Sequence, residues 1–172
     1  MSTLSRATVV EAAIGLADDV GLEGLSLRTL GDRLGVTAMA AYRHVRDKDD
    51  LLDGMADELY GRLDLPDPAA DWWEGLAALA HSARALLLDH PWAVPLFSRP
   101  LAGPNGDALD ASLRGSFRKA GFSDEDADEL HDQLSNLIFA LVLPELRGQP
   151  NRAAFDRGLE LLHAGLEARR SR

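Results

Sequence analysis

The segment Ser26–Lys48, SLRTLGDRLGVTAMAAYRHVRDK, holds two short helical patterns that meet at a tight turn, Gly35-Val36-Thr37. Ser26 stands where a helix cap is needed. Leu27, Leu30 and Leu34 fall on one face of a helix over Leu27–Leu34. Gly35 permits a sharp reversal, because glycine takes a left-handed backbone without a Cβ penalty. Thr37 caps the next pattern, about Ala38–His44, in which Ala40 and Ala41 are small enough for close packing and Val36 is the buried plug. A bracing helix, a small turn residue and a second helix with an apolar inner face compose a helix-turn-helix. That module lays its second helix in the DNA major groove.

The remainder of the chain is also patterned as helix. Val10, Ala13, Ile14, Ala17 and Val20 mark an amphipathic first helix over about Ser5–Val20, stopped by Gly21. Asp47 caps a fourth helix that carries Leu51, Leu52, Met55, Leu59 and Leu63 on one face. Two prolines in Leu65-Pro66-Asp67-Pro68 mark a boundary. Beyond it, apolar stripes predict helices over about Ala70–His90, Ala108–Ala120, Ser123–Leu146 and Asn151–Ala168, with Gly103–Gly106 as a loop. No run alternates with period two. The expected fold is therefore all-α, with an N-terminal three-helix helix-turn-helix domain at 1–47, a connecting helix at 48–65 and a C-terminal helical domain at 66–172.

Charge argues against a polyanion as partner. The formal net charge is −10 over 172 residues, and the first 62 residues carry seven Lys and Arg against eleven acids. Phosphate contact depends, however, on local placement rather than on the sum. Arg28, Arg43, His44, Arg46 and Lys48 all fall in or beside the two short helices, and Asp18, Asp19, Asp53, Asp57 and Glu58 can face elsewhere. Asp49-Asp50 reads as a solvated helix start. Cysteine is absent, which excludes disulfides and thiolate metal sites and fits a reducing cytoplasm. The N-terminus lacks the basic and apolar regions of an export signal, and Leu137–Pro144 is too short an apolar stretch to span a bilayer. A cytoplasmic protein is expected.

Residue chemistry then selects candidates. Tyr42, His44 and Lys48 suit phosphates, Arg43 a phosphate or a guanine edge, and Arg28 a DNA contact from the preceding helix. Thr37 and Ala38 present N–H groups at a helix start, and Ala38 and Met39 offer apolar surface to a thymine methyl. Arg28 has an alternative partner in Asp32, four residues on. Arg46 is open between DNA and solvent. His81, His90, His131 and His163 sit at no ligand spacing, so no metal is expected. Trp73, Trp92, Phe97 and His131 are candidates for a small-molecule pocket, as Trp72 would be, although core packing explains the aromatics equally well. No catalytic triad or phosphate loop stands out, so neither an enzyme nor a cofactor is expected.

SRATVVEAAIGLADDVGLEGLSLRTLGDRLGVTAMAAYRHVRDKDDLLDGM resembles the DNA-binding domain of the TetR family of bacterial transcriptional regulators, over about Ser5–Leu63 and most specifically in GVT…YRHVRDKDDLL. DWWEGL at Asp71–Leu76, HPW at His90–Trp92, RPLAGPN at Arg99–Asn105 and FDRGLELLHAGLE at Phe155–Glu167 resemble its regulatory domain. The resemblance implies an all-helical homodimer on a palindromic operator, with half-sites roughly 34–36 Å apart. It implies a ligand-responsive repressor, with a small-molecule effector pocket in the C-terminal domain whose occupation shifts the helix at Asp47–Leu63. It implies a four-helix dimer seam carrying Leu134, Ile138, Leu141, Leu159 and Leu162. The sequence departs from the family at Ala41, where a larger aliphatic is usual. The stretch AMAA at 38–41 has no hydrogen-bonding side chain, so the operator is not legible. The acidic head leaves an alternative, a helical ligand-binding dimer that acts through protein partners with a vestigial DNA module.

Overall fold

The computed structural model describes residues 4–41, 43–149 and 151–170. Among them are eight α-helices and no strand, as the periodicity predicts: α1 Arg6–Gly24, α2 Leu27–Leu34, α3 Ala38–Ala41, α4 Lys48–Tyr60, α5 Trp72–Asp89, α6 Pro104–Lys119, α7 Asp124–Leu146 and α8 Arg152–Arg170, with a single 3₁₀ turn at Pro91–Ala93. None of these helices is long and apolar enough to cross a membrane. The chain divides into two compact units, Met1–Gly61 with Trp92–Gly106, and Arg62–Pro91 with Asp107–Arg172.

In the first unit, α1 and α2 start with the same device. Ser5 Oγ accepts the Thr8 N–H at 3.2 Å while Thr8 Oγ1 accepts the Ser5 N–H at 2.8 Å. Ser26 and Thr29 repeat the exchange at 3.1 and 2.9 Å. Threonine thus does the returning work that Glu or Gln does in the common capping box. Gly21 does not stop α1 as expected. Its φ of 70° kinks the backbone, and one further turn reaches Gly24. The kink leaves Val20, expected on the inner face, 50% exposed. The core gathers Val9, Ala13, Ile14 and Ala17 from α1, Leu30 from α2, Ala41 from α3 and Leu51, Met55 and Leu59 from α4, each at most 2% exposed. Burial of each large side chain contributes about 1.5–3 kcal/mol.

The expected loop at Gly103–Gly106 is instead the start of α6. Asp57, on α4, reaches across and accepts the N–H groups of Asn105 and Gly106 on one carboxylate oxygen, both at 2.9 Å. This satisfies donors that a helix start leaves orphaned, and Pro104 at the first position has no N–H to satisfy. Gly103 is required there twice over: its φ is 86°, and a Cβ would lie 2.5 Å from Asp57 Cγ. Elsewhere in this unit Tyr60 meets Phe97 edge to face at 4.8 Å, and Arg99 holds Asp53 at 2.8 Å.

The second unit contains α5, α7, α8 and all of α6 after its first turn. Asp71 caps α5 by accepting from Trp73 and Glu74 N–H. Ser123 caps α7, whose first turn carries Asp124, Glu125 and Asp126 beside the positive end of the helix dipole. A nearly buried ion pair, Arg84 with Glu145, ties α5 to α7. The stripes on α7 and α8 pack inside this unit. Leu134, Ile138 and Leu159 are 3%, 7% and 4% exposed in the single chain. Leu141 and Leu162 are half-buried, whereas Leu143 and Leu161 are exposed.

Candidate nucleic-acid interface

α2 comes close to the turn and the start of α3 at Gly31. A Cβ there would come within 2.9 Å of the Val36 carbonyl oxygen and 3.1 Å of the Ala38 nitrogen. The Val36 N–H donates back to the Gly31 carbonyl at 3.0 Å, and Gly35 adopts φ 67°. The turn therefore closes onto the helix that precedes it. Val36, expected as a buried plug, is half-buried, and the tight contact is made by backbone instead. Thr37 caps α3 as expected, its Oγ1 accepting the Ala40 N–H at 3.2 Å.

α3 is shorter than the expected Ala38–His44. It is described over Ala38–Ala41, and Arg43 and His44 donate to the Ala40 and Ala41 carbonyls in tighter, three-residue turns. Ala41 is fully buried. Thr37, Met39 and Arg43 are exposed, while Ala38 and His44 are half-buried. Met39 stands 74% exposed. Arg28 is exposed on α2, and among the described residues it forms no pair with Asp32. The Tyr42 contact expected from sequence lies outside the described residues.

Lys48 has an internal task. Its ammonium donates to the Leu25 carbonyl at 3.1 Å and lies 3.5 Å from that of Leu22, closing the end of the kinked α1. Four further cations of this unit are paired: Arg33 with Asp19 at 2.5 Å, Arg99 with Asp49 and Asp53, and Arg6 and Arg46 with Asp50. Asp50 corrects the expectation of a solvated acidic helix start. Its side chain is 10% exposed and ion-paired on two sides, though Asp49 beside it is exposed. The Arg6 guanidinium foremost, then the Arg46 N–H, hold its carboxyl far below the ordinary carboxylate range against the cost of burial. Sequence inspection could not find it, because the strongest partner is 44 residues away.

The four pocket candidates fall in both units. Trp92 donates its indole N–H to Asp18 at 2.6 Å, and Phe97 packs on Tyr60, both in the first unit. Trp73 stacks on His163 at 4.4 Å, and His131 Nδ1 lies 3.2 Å from Asp110, both in the second. A cavity of about 300 Å³ in the second unit is lined by Pro66, Trp72, Ser112, Gly115 and Lys119 among others, so Trp72 rather than Trp73 borders it.

Comparison with known proteins bears on both halves. The signature of bacterial regulatory proteins of the tetR family matches residues 9–55, and that of the tetracyclin repressor-like C-terminal domain matches residues 65–154. An HTH-type transcriptional regulator of Saccharopolyspora erythraea is 38% identical over 144 residues, 83% of this chain. The chain spans 61% of that relative's length. Apo ActR from Streptomyces coelicolor superposes with a TM-score of 0.87 at 25% identity, covering 99% of this chain and 100% of its own. BioQ, solved with a double-stranded DNA operator, superposes with a TM-score of 0.80 at 28% identity, covering 96% of this chain and 99% of its own.

Proposed function

The chain belongs to the TetR family of bacterial regulatory proteins, and from that premise we propose that it is a DNA-binding transcriptional repressor released by a small-molecule ligand. One observation carries the proposal. Arg6, Arg33, Arg46 and Arg99 of the first unit are held in ion pairs with Asp19, Asp49, Asp50 and Asp53, while Arg28 and Arg43 stay exposed, as Met39 and Thr37 do. These pairs take up four of the unit's acids, and Arg28 and Arg43 are left with the apolar Met39 as the exposed candidates for the interface. Arg28, Thr37, Arg43, His44 and Lys48 would meet backbone or base edges, and Ala38 and Met39 a thymine methyl.

BioQ, solved with its operator, supports DNA as the partner, and ActR, solved with actinorhodin, supports a small-molecule ligand. We place the ligand in the second unit, to which Trp73 and His131 belong. Binding as a homodimer would set the operator half-sites roughly 34–36 Å apart. The leucines left to face a partner are the half-buried Leu141 and Leu162 and the exposed Leu143 and Leu161. The proposed place of action is the cytoplasm.

Selection of bound duplexes from random DNA tests the proposal. Enrichment of a two-fold symmetric sequence is expected. No enrichment would overturn it and favour a helical dimer that acts through protein partners. The complete α2–turn–α3 geometry argues against that vestigial module.

A further inference from the structure

Asp50, the third residue of α4, collects four donated hydrogen bonds. Its Oδ2 accepts Arg6 Nη1 and the Arg46 backbone N–H, both at 2.8 Å, and its Oδ1 accepts Arg6 Nη2 and Arg46 Nη2, both at 3.1 Å. Arg6 is shared further. Its Nη2 donates to the Asp50 carbonyl at 3.1 Å and its Nη1 to the His44 carbonyl at 3.3 Å. The stretch His44–Asp47 lies between α3 and α4 and belongs to neither helix. It therefore has no helical ladder of its own, and charge-assisted bonds to one carboxylate hold it.

We propose that Asp50 is a positioning residue of the DNA interface: by gripping Arg6 of α1 and both ends of Arg46, it fixes the segment after α3, and with it the exposed edge of α3, to the start of α4. The inference rests on the DNA-binding proposal above. Arg46 is a strut in this arrangement and not a phosphate contact, although 84% of its side chain is exposed. Specificity depends on holding a few side chains in register with base edges, whereas non-specific affinity depends on charge. Neutralising Asp50 should drive these two apart. It removes a negative charge and releases two guanidinium groups toward the polyanion, while the α3 edge loses its anchor.

The test compares the wild-type chain with Asp50→Asn, Arg46→Gln and the double variant. Binding is measured by fluorescence anisotropy, over a range of salt, on the duplex that the wild type selects from random DNA and on an unrelated duplex of equal length. In Asp50→Asn the ratio of the two affinities should fall about tenfold, out of a specific-to-non-specific ratio of roughly 10³ or more. Its affinity for the unrelated duplex should hold or rise, with a salt slope steeper by about one unit for each freed guanidinium that reaches phosphate. Arg46→Gln should lower the ratio without lowering affinity for the unrelated duplex, and the double variant should lose no more than Asp50→Asn alone. A ratio in Asp50→Asn equal to wild type would overturn the inference. So would parallel loss on both duplexes in Arg46→Gln with a shallower slope, which would make Arg46 a phosphate contact. Should Asp50→Asn not fold, Arg46→Gln still decides. A wild type that selects no sequence would overturn the DNA-binding proposal itself, a result distinct from either of these.

Discussion

The ammonium of Lys48, at the first position of α4, donates to the carbonyl oxygen of Leu25, which follows the end of α1, at 3.1 Å. A lysine that only touched phosphate would be thermodynamically silent in the free protein. Lys48→Ala is therefore expected to lower stability by about 0.5–1 kcal/mol, the net worth of one partly exposed hydrogen bond. It should also weaken binding to all duplexes alike if the same ammonium reaches DNA. Urea denaturation of the free protein separates the two: an unchanged midpoint would show that the Leu25 contact carries no weight.

The glycines give a contrast within one chemical change. Gly31→Ala pushes a methyl to within 2.9 Å of the Val36 carbonyl, a backbone atom. Overpacking of that kind costs about 1–3 kcal/mol. In α6, Gly115 has nothing within 4 Å of the built Cβ, so Gly115→Ala should stabilise by about 0.5–1 kcal/mol through helix propensity and reduced freedom of the unfolded chain. Thermal melts of the two variants should move in opposite directions. Two shifts of the same sign would contradict the close approach at Gly31.

What could be read from sequence follows the range of the interaction. Ser26, Gly35, Thr37 and Asp47 act on partners within a few residues, so the helix-turn-helix and its caps were legible. Asp50 and Asp57 look like ordinary surface acids in a linear string, because their partners Arg6 and Asn105 lie 44 and 48 residues away. The start of α6 looks like a loop in the string for the same reason, since its cap, Asp57, lies on α4. Apolar periodicity on α7 and α8 established which faces are covered but not by what, and Leu134 and Leu159 are covered by their own chain. Aromatic residues were equally ambiguous: Trp73 stacks on His163, a pairing that no spacing announces.

Asp57 supplies a cap from outside the helix it caps, so its removal should act on α6 although it belongs to α4. Asp57→Ala leaves the Asn105 and Gly106 N–H groups without their acceptor and is expected to cost about 1 kcal/mol, the usual worth of a cap. Asp57→Asn keeps an acceptor oxygen and should cost less. Hydrogen exchange locates the effect. The amides of Asn105 and Gly106 should lose protection in Asp57→Ala, and full protection there would rule out the cap.

Acid should unfold this protein through two particular carboxylates. Asp50 is held below the ordinary range chiefly by its hydrogen bond from Arg6, and Glu145 chiefly by its hydrogen bond from Arg84. In the unfolded chain both revert to ordinary values near about 4. Between the two ranges the unfolded state takes up protons and the folded state does not, so the unfolded state gains as pH falls. The stability these groups provide is therefore complete above the unfolded range and is lost progressively as pH drops through it toward the folded values. Stability measured by urea from about pH 6 down to about pH 3 should fall, and Glu145→Gln should flatten part of that slope because the amide has no proton to take up. Arg84→Met is the harsher change, since it takes the main partner from a carboxylate that is 9% exposed, and should cost about 3 kcal/mol at neutral pH. Its penalty should shrink in acid, where the stranded Glu145 can accept a proton. A penalty that stays constant from neutral pH to about pH 3 would mean that Glu145 does not depend on Arg84 for its charge.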